Sequence, residues 1–160
     1  MNFETILGKV DFLEFLRGKK ATFLLSASVT KTCEIPNISQ AGIPGFLHLT
    51  PILDAEFLCT KQVRSMPQIA QTPKGVPTPA LITRAVHELN AFSNIEILNL
   101  GLETLPQISH FKIHDFNMKP SGRIDDGARI QALEIFQKAI EFGQSYKTND
   151  DYVILAESIP

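Results

Sequence analysis

Three short apolar runs constrain the fold of this chain more than any other feature. They are Ala21–Ser28, Ile95–Gly101 and Asp151–Glu157. Each is nearly continuous in apolar residues instead of alternating with polar ones, the pattern of strands covered on both faces. Segments of helical period precede them. Phe3, Ile6, Leu7, Val10, Leu13 and Leu16 precede the first run, and Gly18 stops that helix. Leu81, Ile82, Ala85, Val86 and Leu89 form a stripe before the second. Ile130, Leu133, Phe136 and Ile140, with Ala139 on the flank, form one before the third. Both stripes are expected to be buried. Helix-then-strand alternation predicts an α/β architecture, a parallel sheet with flanking helices and right-handed crossovers. Ligands of such sheets sit beyond the carboxyl ends of the strands. That selects three places: Ser26 to Thr30, Asn99 to Leu102, and Glu157 to Pro160.

A length of 160 residues suits one domain or one piece of a larger one. The chain divides into an N-terminal helix, 1–18, and a main unit, 19–160. Its 15 Lys and Arg against 17 Asp and Glu give a net charge of −2. A nucleic-acid partner is therefore not expected, because phosphate-backbone affinity needs clustered cations. Glu4, Asp11 and Glu14 interrupt the N-terminal apolar residues, which excludes a secretory signal. No apolar run reaches the 18 residues of a membrane span. Cys33 and Cys59 are the two cysteines and read as free thiols of a cytoplasmic protein.

Between residues 31 and 77 periodicity is weak and proline is dense. A loop of that length hides short elements or carries function. Ala55–Cys59 is expected to be one short strand. Thr78-Pro79 is a strong helix start, Thr as cap and Pro in the first turn. Its free N–H groups could hold an anion, or it could be a structural turn. Thr72–Pro79 reads as a rigid loop delivering that helix. Residues 103–121 read as polar and flexible, although His110 and His114 alternating with Phe111 and Ile113 suit an extended segment. No third ligand accompanies those histidines, so no metal site is expected. Arg123, Asp125, Asp126 and Arg129 read as a charged helix start. No dinucleotide or P-loop motif is present. Glu157, a carboxylate ending an apolar strand, is the most suggestive single residue. It either points inward and works, or faces solvent.

Several segments resemble one family. Thr72-Pro73-Lys74-Gly75-Val76-Pro77-Thr78-Pro79-Ala80-Leu81-Ile82-Thr83-Arg84-Ala85 is similar to the hallmark segment of the archaeal and cyanobacterial branch of nicotinate-nucleotide–dimethylbenzimidazole phosphoribosyltransferase-like proteins. Residues 34–42 (EIPNISQAG), Asp54-Ala55-Glu56 and the terminal Ile154-Leu155-Ala156-Glu157-Ser158-Ile159-Pro160 resemble the same branch. The resemblance runs over most of residues 20–160 and implies a Rossmann-like sheet, incomplete at its C-terminal side.

The resemblance implies transfer of the phosphoribosyl group of nicotinate mononucleotide to 5,6-dimethylbenzimidazole, a step in assembling the lower ligand of cobalamin. It implies no metal and no redox cofactor. Glu157 matches a glutamate that lines the family's substrate pocket. Asn99-Leu100-Gly101-Leu102 resembles a strand end of the family, with Asn99 in place of an acid. The expected substrate-contacting residues are Glu157, Ser28, Thr30, Thr78, Asn99 and Gly101. The family's phosphate turn and general base match nothing in the chain, so no catalytic residue is assigned and the chain alone is expected to be inactive. A non-catalytic nucleotide-binding or base-binding domain that retains the fold is the alternative. Homo-oligomerisation is left open.

Overall fold

A computed structural model describes residues 11–160. The expected first helix is seen as α1, Asp11–Leu16, and its stripe from Phe3 to Val10 lies outside the described residues. The strands are β1 (Ala21–Ala27), β2 (Asn94–Asn99), β3 (Lys112–Asp115) and β4 (Tyr152–Ser158). The longer helices are α2 (Thr50–Thr60), α3 (Ala80–Leu89) and α4 (Ala132–Ser145). All strands are parallel, in the order β3-β2-β1-β4. The α/β reading of the sequence is correct, and the three apolar runs are β1, β2 and β4. The fourth strand, β3, lies in the segment read as flexible, at the alternation of Phe111 and Ile113 with the histidines.

Two-residue alternation assigns the faces. Phe23, Leu25 and Ala27 of β1 and Ile95 and Ile97 of β2 form one core with Ile52, Ala55 and Leu58 of α2. Ile113, Ile154 and Ala156 extend it across the sheet. The other face carries Glu96 and His114, paired at 2.5 Å, with the His114 ring edge-on to Phe142 of α4. The first crossovers step outward from β1 to β2 to β3, and the last returns to the far side of β1. That reversal places α4 on the opposite face from α2, as right-handed crossovers require.

Two expectations fail. Ala55–Cys59 is not a strand but the second half of α2. Pro51 in the first turn favours the helix. Because α2 is buried on nearly every side, its sequence carries no amphipathic period to betray it. The apolar stripes of α3 and α4 are not buried either. Ile82 is 69% exposed, Leu89 90%, Leu133 86% and Phe136 65%. Nothing among the described residues lies over them.

Helix α2 also carries a charge that the fold must satisfy. Glu56 is fully buried. Its carboxylate accepts from the backbone N–H groups of Arg64 (2.7 Å), Ser65 (3.0 Å) and Gln107 (2.9 Å) and from the Ser65 hydroxyl (2.6 Å). Burial alone would push its pKa up, but these donors outweigh it and hold the group below the ordinary carboxylate range. The anion thereby ties the 61–66 and 104–108 loops to α2. A folded pKa below the unfolded one stabilises above the unfolded value and is lost as pH falls through the folded value. Glu56→Gln presents an amide NH₂ to a ring of donors, and is expected to cost about 2–4 kcal/mol at pH 7. Urea titrations at pH 7 and in acid check this: the mutant deficit should shrink on acidification.

Candidate functional site

Three elements that are distant in sequence meet at one carboxylate. The Thr78 hydroxyl donates to one oxygen of Asp54 at 2.7 Å, and the Ser158 hydroxyl donates to the other at 2.7 Å. Asp54 belongs to α2, Thr78 precedes α3, and Ser158 ends β4. All three residues are buried. Burial raises the Asp54 pKa, and the two hydroxyl donors offset this only in part. The contrast with Glu56 is chemical. Glu56 is met by three backbone N–H groups and one hydroxyl, Asp54 by two hydroxyls that can reverse their protons.

Beside this triad lies a cavity of about 310 Å³, in the size range of small-molecule sites. It is bordered by Gln40 and Ala41, by Thr50 and Asp54, by Thr72 and Val76 to Ala80, and by Ala156 to Ile159. Phe23, Leu25 and Leu58 supply its apolar floor. It lies against the core face of β1 and opens at the carboxyl end of β4, beside the point where the strand order reverses, the expected neighbourhood for a ligand in a sheet of this kind. Thr50 adds a buried hydroxyl with no hydrogen-bond partner among the described residues. A Cβ on Gly42 would lie 2.1 Å from that oxygen, so glycine is what lets the 40–45 loop close over it.

The 72–79 loop is braced by its own hydrogen bonds. The Thr72 N–H donates to the Val76 carbonyl at 2.8 Å, and Gln71 and Pro77 form an antiparallel bridge. The N-cap of α3 is Pro79, not Thr78 as expected, but the Thr78 hydroxyl just before it accepts from the Ala80 N–H at 3.2 Å. The Leu81 N–H goes to the Thr78 carbonyl, and those of Ile82 and Thr83 go to Pro79. With its first donors committed, the helix start is not the open anion cradle that its sequence allowed. Arg84, one turn further, reaches back to the Leu58 carbonyl at 2.7 Å and closes the C-terminal end of α2.

The expected site residues separate into three groups. Thr78 and Glu157 border the Asp54 cavity. The Glu157 side chain is exposed, and alternation puts it on the sheet face of Val153 and Leu155, opposite Ile154 and Ala156. Ser28 and Thr30 border a second cavity of about 680 Å³, with Lys31, Ser121, Gly122, Arg123 and Arg129. Ile159 borders both cavities. Asn99 and Gly101 border neither. The Asn99 amide oxygen accepts from the Gly101 (3.1 Å) and Leu102 (2.9 Å) N–H groups, and its nitrogen donates to Asp115 at 3.1 Å. Gly101 has φ +126°, and a Cβ there would meet the Lys119 carbonyl at 2.7 Å. These two residues shape the turn after β2.

Arg123 and Arg129 pair with Asp125 (2.6 Å) and Asp126 (2.8 Å) around a 3-10 turn, Ile124–Asp126, six residues before α4 begins. They are not the helix start that the sequence suggested. Burial pushes the Cys59 thiol up to about 12 and raises Cys33 as well, so both are poor nucleophiles. Among the described residues no cluster of three His, Cys, Asp or Glu is arranged to hold a metal, and no helix is long and apolar enough to cross a membrane.

Sequence reading missed the centre of this site. Asp54 and Ser158 stood inside segments that carry the family resemblance, but neither was singled out. The available signal was two acids in the otherwise apolar stretch Thr50-Pro51-Ile52-Leu53-Asp54-Ala55-Glu56-Phe57-Leu58-Cys59.

Comparison with known proteins places the chain beside archaeal relatives. They are UPF0284 proteins. One from Sulfolobus acidocaldarius is 34% identical over the whole of this chain and 46% of its own length. One from Archaeoglobus fulgidus is 32% identical over the whole chain and 47% of its own length. One from Methanothermobacter thermautotrophicus is 28% identical over 97% of the chain and 44% of its own length. The chain thus spans about half the length of the curated relatives it matches. No protein-family profile matches it. The name UPF0284 specifies no reaction.

Asp54→Asn should behave unlike Glu56→Gln. A folded pKa above the unfolded one stabilises fully below the unfolded value, and that contribution is lost as pH rises through the folded value. At neutral pH the native aspartate is therefore a burden. Its amide is expected to leave stability unchanged within about 1 kcal/mol or to raise it, with any gain vanishing in acid. Urea midpoints at pH 7 and in acid measure this. A large loss at pH 7 would mean that the two hydroxyls secure the charge.

Proposed function

We propose that the Asp54 cavity is the base-binding side of a phosphoribosyltransferase site, with nicotinate mononucleotide as donor and 5,6-dimethylbenzimidazole as acceptor. One observation carries the reading. The four segments resembling the family lie far apart in sequence, and residues from all four line this single cavity: Gln40 and Ala41, Asp54, Thr72 with Val76 to Ala80 and Thr83, and Ala156 to Ile159.

The chemistry suits the geometry. Transfer breaks the bond between C1′ and the pyridinium nitrogen, and nicotinate leaves with the electron pair. A ring nitrogen of the benzimidazole forms the new bond to C1′, and its other nitrogen's proton is lost. An apolar slot with few polar groups suits a flat, neutral heteroaromatic ring. The Thr78 and Ser158 hydroxyls donate to Asp54, so their oxygens are left as acceptors. An acceptor at the slot wall favours a ring carrying an N–H. The Asp54 carboxylate within the slot also favours the positive charge that spreads over C1′ as the pyridinium departs. The second cavity, across Ile159, supplies Ser28, Thr30 and Gly122 beside Lys31 and Arg123, a setting that suits the phosphate-bearing substrate.

Calorimetry with each ligand tests the reading. Dimethylbenzimidazole should bind the chain saturably, and Asp54→Asn should weaken it roughly tenfold, about 1.4 kcal/mol, because its NH₂ reverses one hydroxyl. Nicotinate release on mixing both ligands would establish transfer. Absence of heat with either ligand at millimolar concentration would overturn the assignment.

A further inference from the structure

The two edges of the sheet differ in kind. The β3 edge is four residues long, polar at Lys112, His114 and Asp115, and covered on one face by Phe142 of α4. That is how sheets blunt an edge. The β4 edge is seven residues long and apolar from Tyr152 to Ala156. No strand pairs with its outer side among the described residues, and no proline or inward charge protects it. One face of β4 packs on the core through Ile154 and Ala156. The other is bare, with Val153 41% and Leu155 68% exposed. α4 lies on this same sheet face and leaves Leu133, Phe136 and Ile140 uncovered.

We infer that the β4 edge and the bare face beside it are a docking surface for one strand–helix unit, supplied by polypeptide equivalent to the part of the UPF0284 relatives outside the matched region. Three observations select this occupant over a second copy of the chain. The relatives are about twice as long as the region matched, so a further half of comparable size accompanies this one in them. The sheet is wholly parallel. An edge that continues it takes a parallel strand, and a parallel strand arrives with a crossover helix. Beyond β4 a right-handed crossover puts that helix on the face of α4, the face left bare at Val153 and Leu155. A two-fold copy would instead bring β4 against β4 antiparallel and provide no helix for the face. The inference concerns assembly and stands independently of the proposed reaction.

The test mixes this 160-residue chain with a fragment of the Sulfolobus acidocaldarius relative comprising the residues outside its matched 46%. A one-to-one complex is expected by sedimentation, with amide exchange slowed in β4. Val153→Lys with Leu155→Lys should weaken the complex at least about tenfold. Both positions are exposed, so the double variant should keep the thermal midpoint of the isolated chain, and its amide exchange in β1 and β2 reports folding directly. No complex with the fragment would overturn the inference. So would a complex indifferent to the double variant, or a homodimer of the chain that the fragment does not displace and the double variant dissolves.

Discussion

A buried carboxylate has to be answered by donors or give up its charge, and α2 buries two of them two residues apart. At about 100° per residue, Asp54 and Glu56 leave the helix in nearly opposite directions. Glu56 turns toward the 61–66 and 104–108 loops and is met by three backbone N–H groups, which keep it ionised. Asp54 turns toward the start of α3 and the end of β4 and is met by two hydroxyls, which do so less well. One helix therefore carries a fixed anion that organises loops and a perturbed one that faces a cavity. Each position in the site descends from this. Thr78 is held by Asp54 and in turn accepts from the N–H of Ala80, the first residue of α3. Ser158 is held by Asp54 at the end of β4. Arg84 then fastens α3 to the carbonyl end of α2.

This arrangement explains what could be read in the sequence. β1, β2 and β4 were legible because each is a nearly continuous apolar run, the composition of a parallel strand able to be covered on both faces, although β4 is covered here on one face only. α2 was misread for the same physical reason in another guise. A helix buried all round has no stripe, and its apolar half from Ala55 to Cys59 is indistinguishable from a short strand. The strand β3 was legible only as the alternation of His110 and His114 with Phe111 and Ile113, being too brief and too polar for an apolar run: its row on the α4 face holds Lys112 and His114.

The helices α3 and α4 teach the reverse. Their stripes were read correctly as helical, but a stripe records what a helix can bury and not whether something covers it. Uncovered Leu, Ile, Val and Phe side chains each forgo about 1.5–3 kcal/mol of burial. Leu89, Leu133, Phe136 and Leu155 together represent a substantial driving force toward association, and soluble domains seldom leave so much apolar surface without a partner. The site was partly legible for a related reason. Thr78 and Glu157, which border the cavity, were singled out because strand ends and helix starts are where α/β ligands sit. Asp54 was not found, because its importance lies in a hydroxyl contact across 104 residues that no local pattern contains.

The bare surface and the site are not independent features. β4 contributes Ser158 to the Asp54 triad, and the neighbouring Ile159 borders both cavities. The same strand presents an unpaired edge and the exposed pair Val153 and Leu155. Anything that pairs with β4 therefore presses on the element that positions one of the two Asp54 donors. Ala156 shows how short the path is: its own side chain packs on the core, its neighbour Leu155 faces the open side, and Ser158 lies two residues on along the same face as Ala156. An edge strand is tied by ladder hydrogen bonds on one side only. Pairing on the second edge would restrain Ser158 and with it the orientation of both hydroxyls. The polarity of the slot wall, and so the preference for a ring N–H that we propose for it, would then depend on how firmly β4 is held.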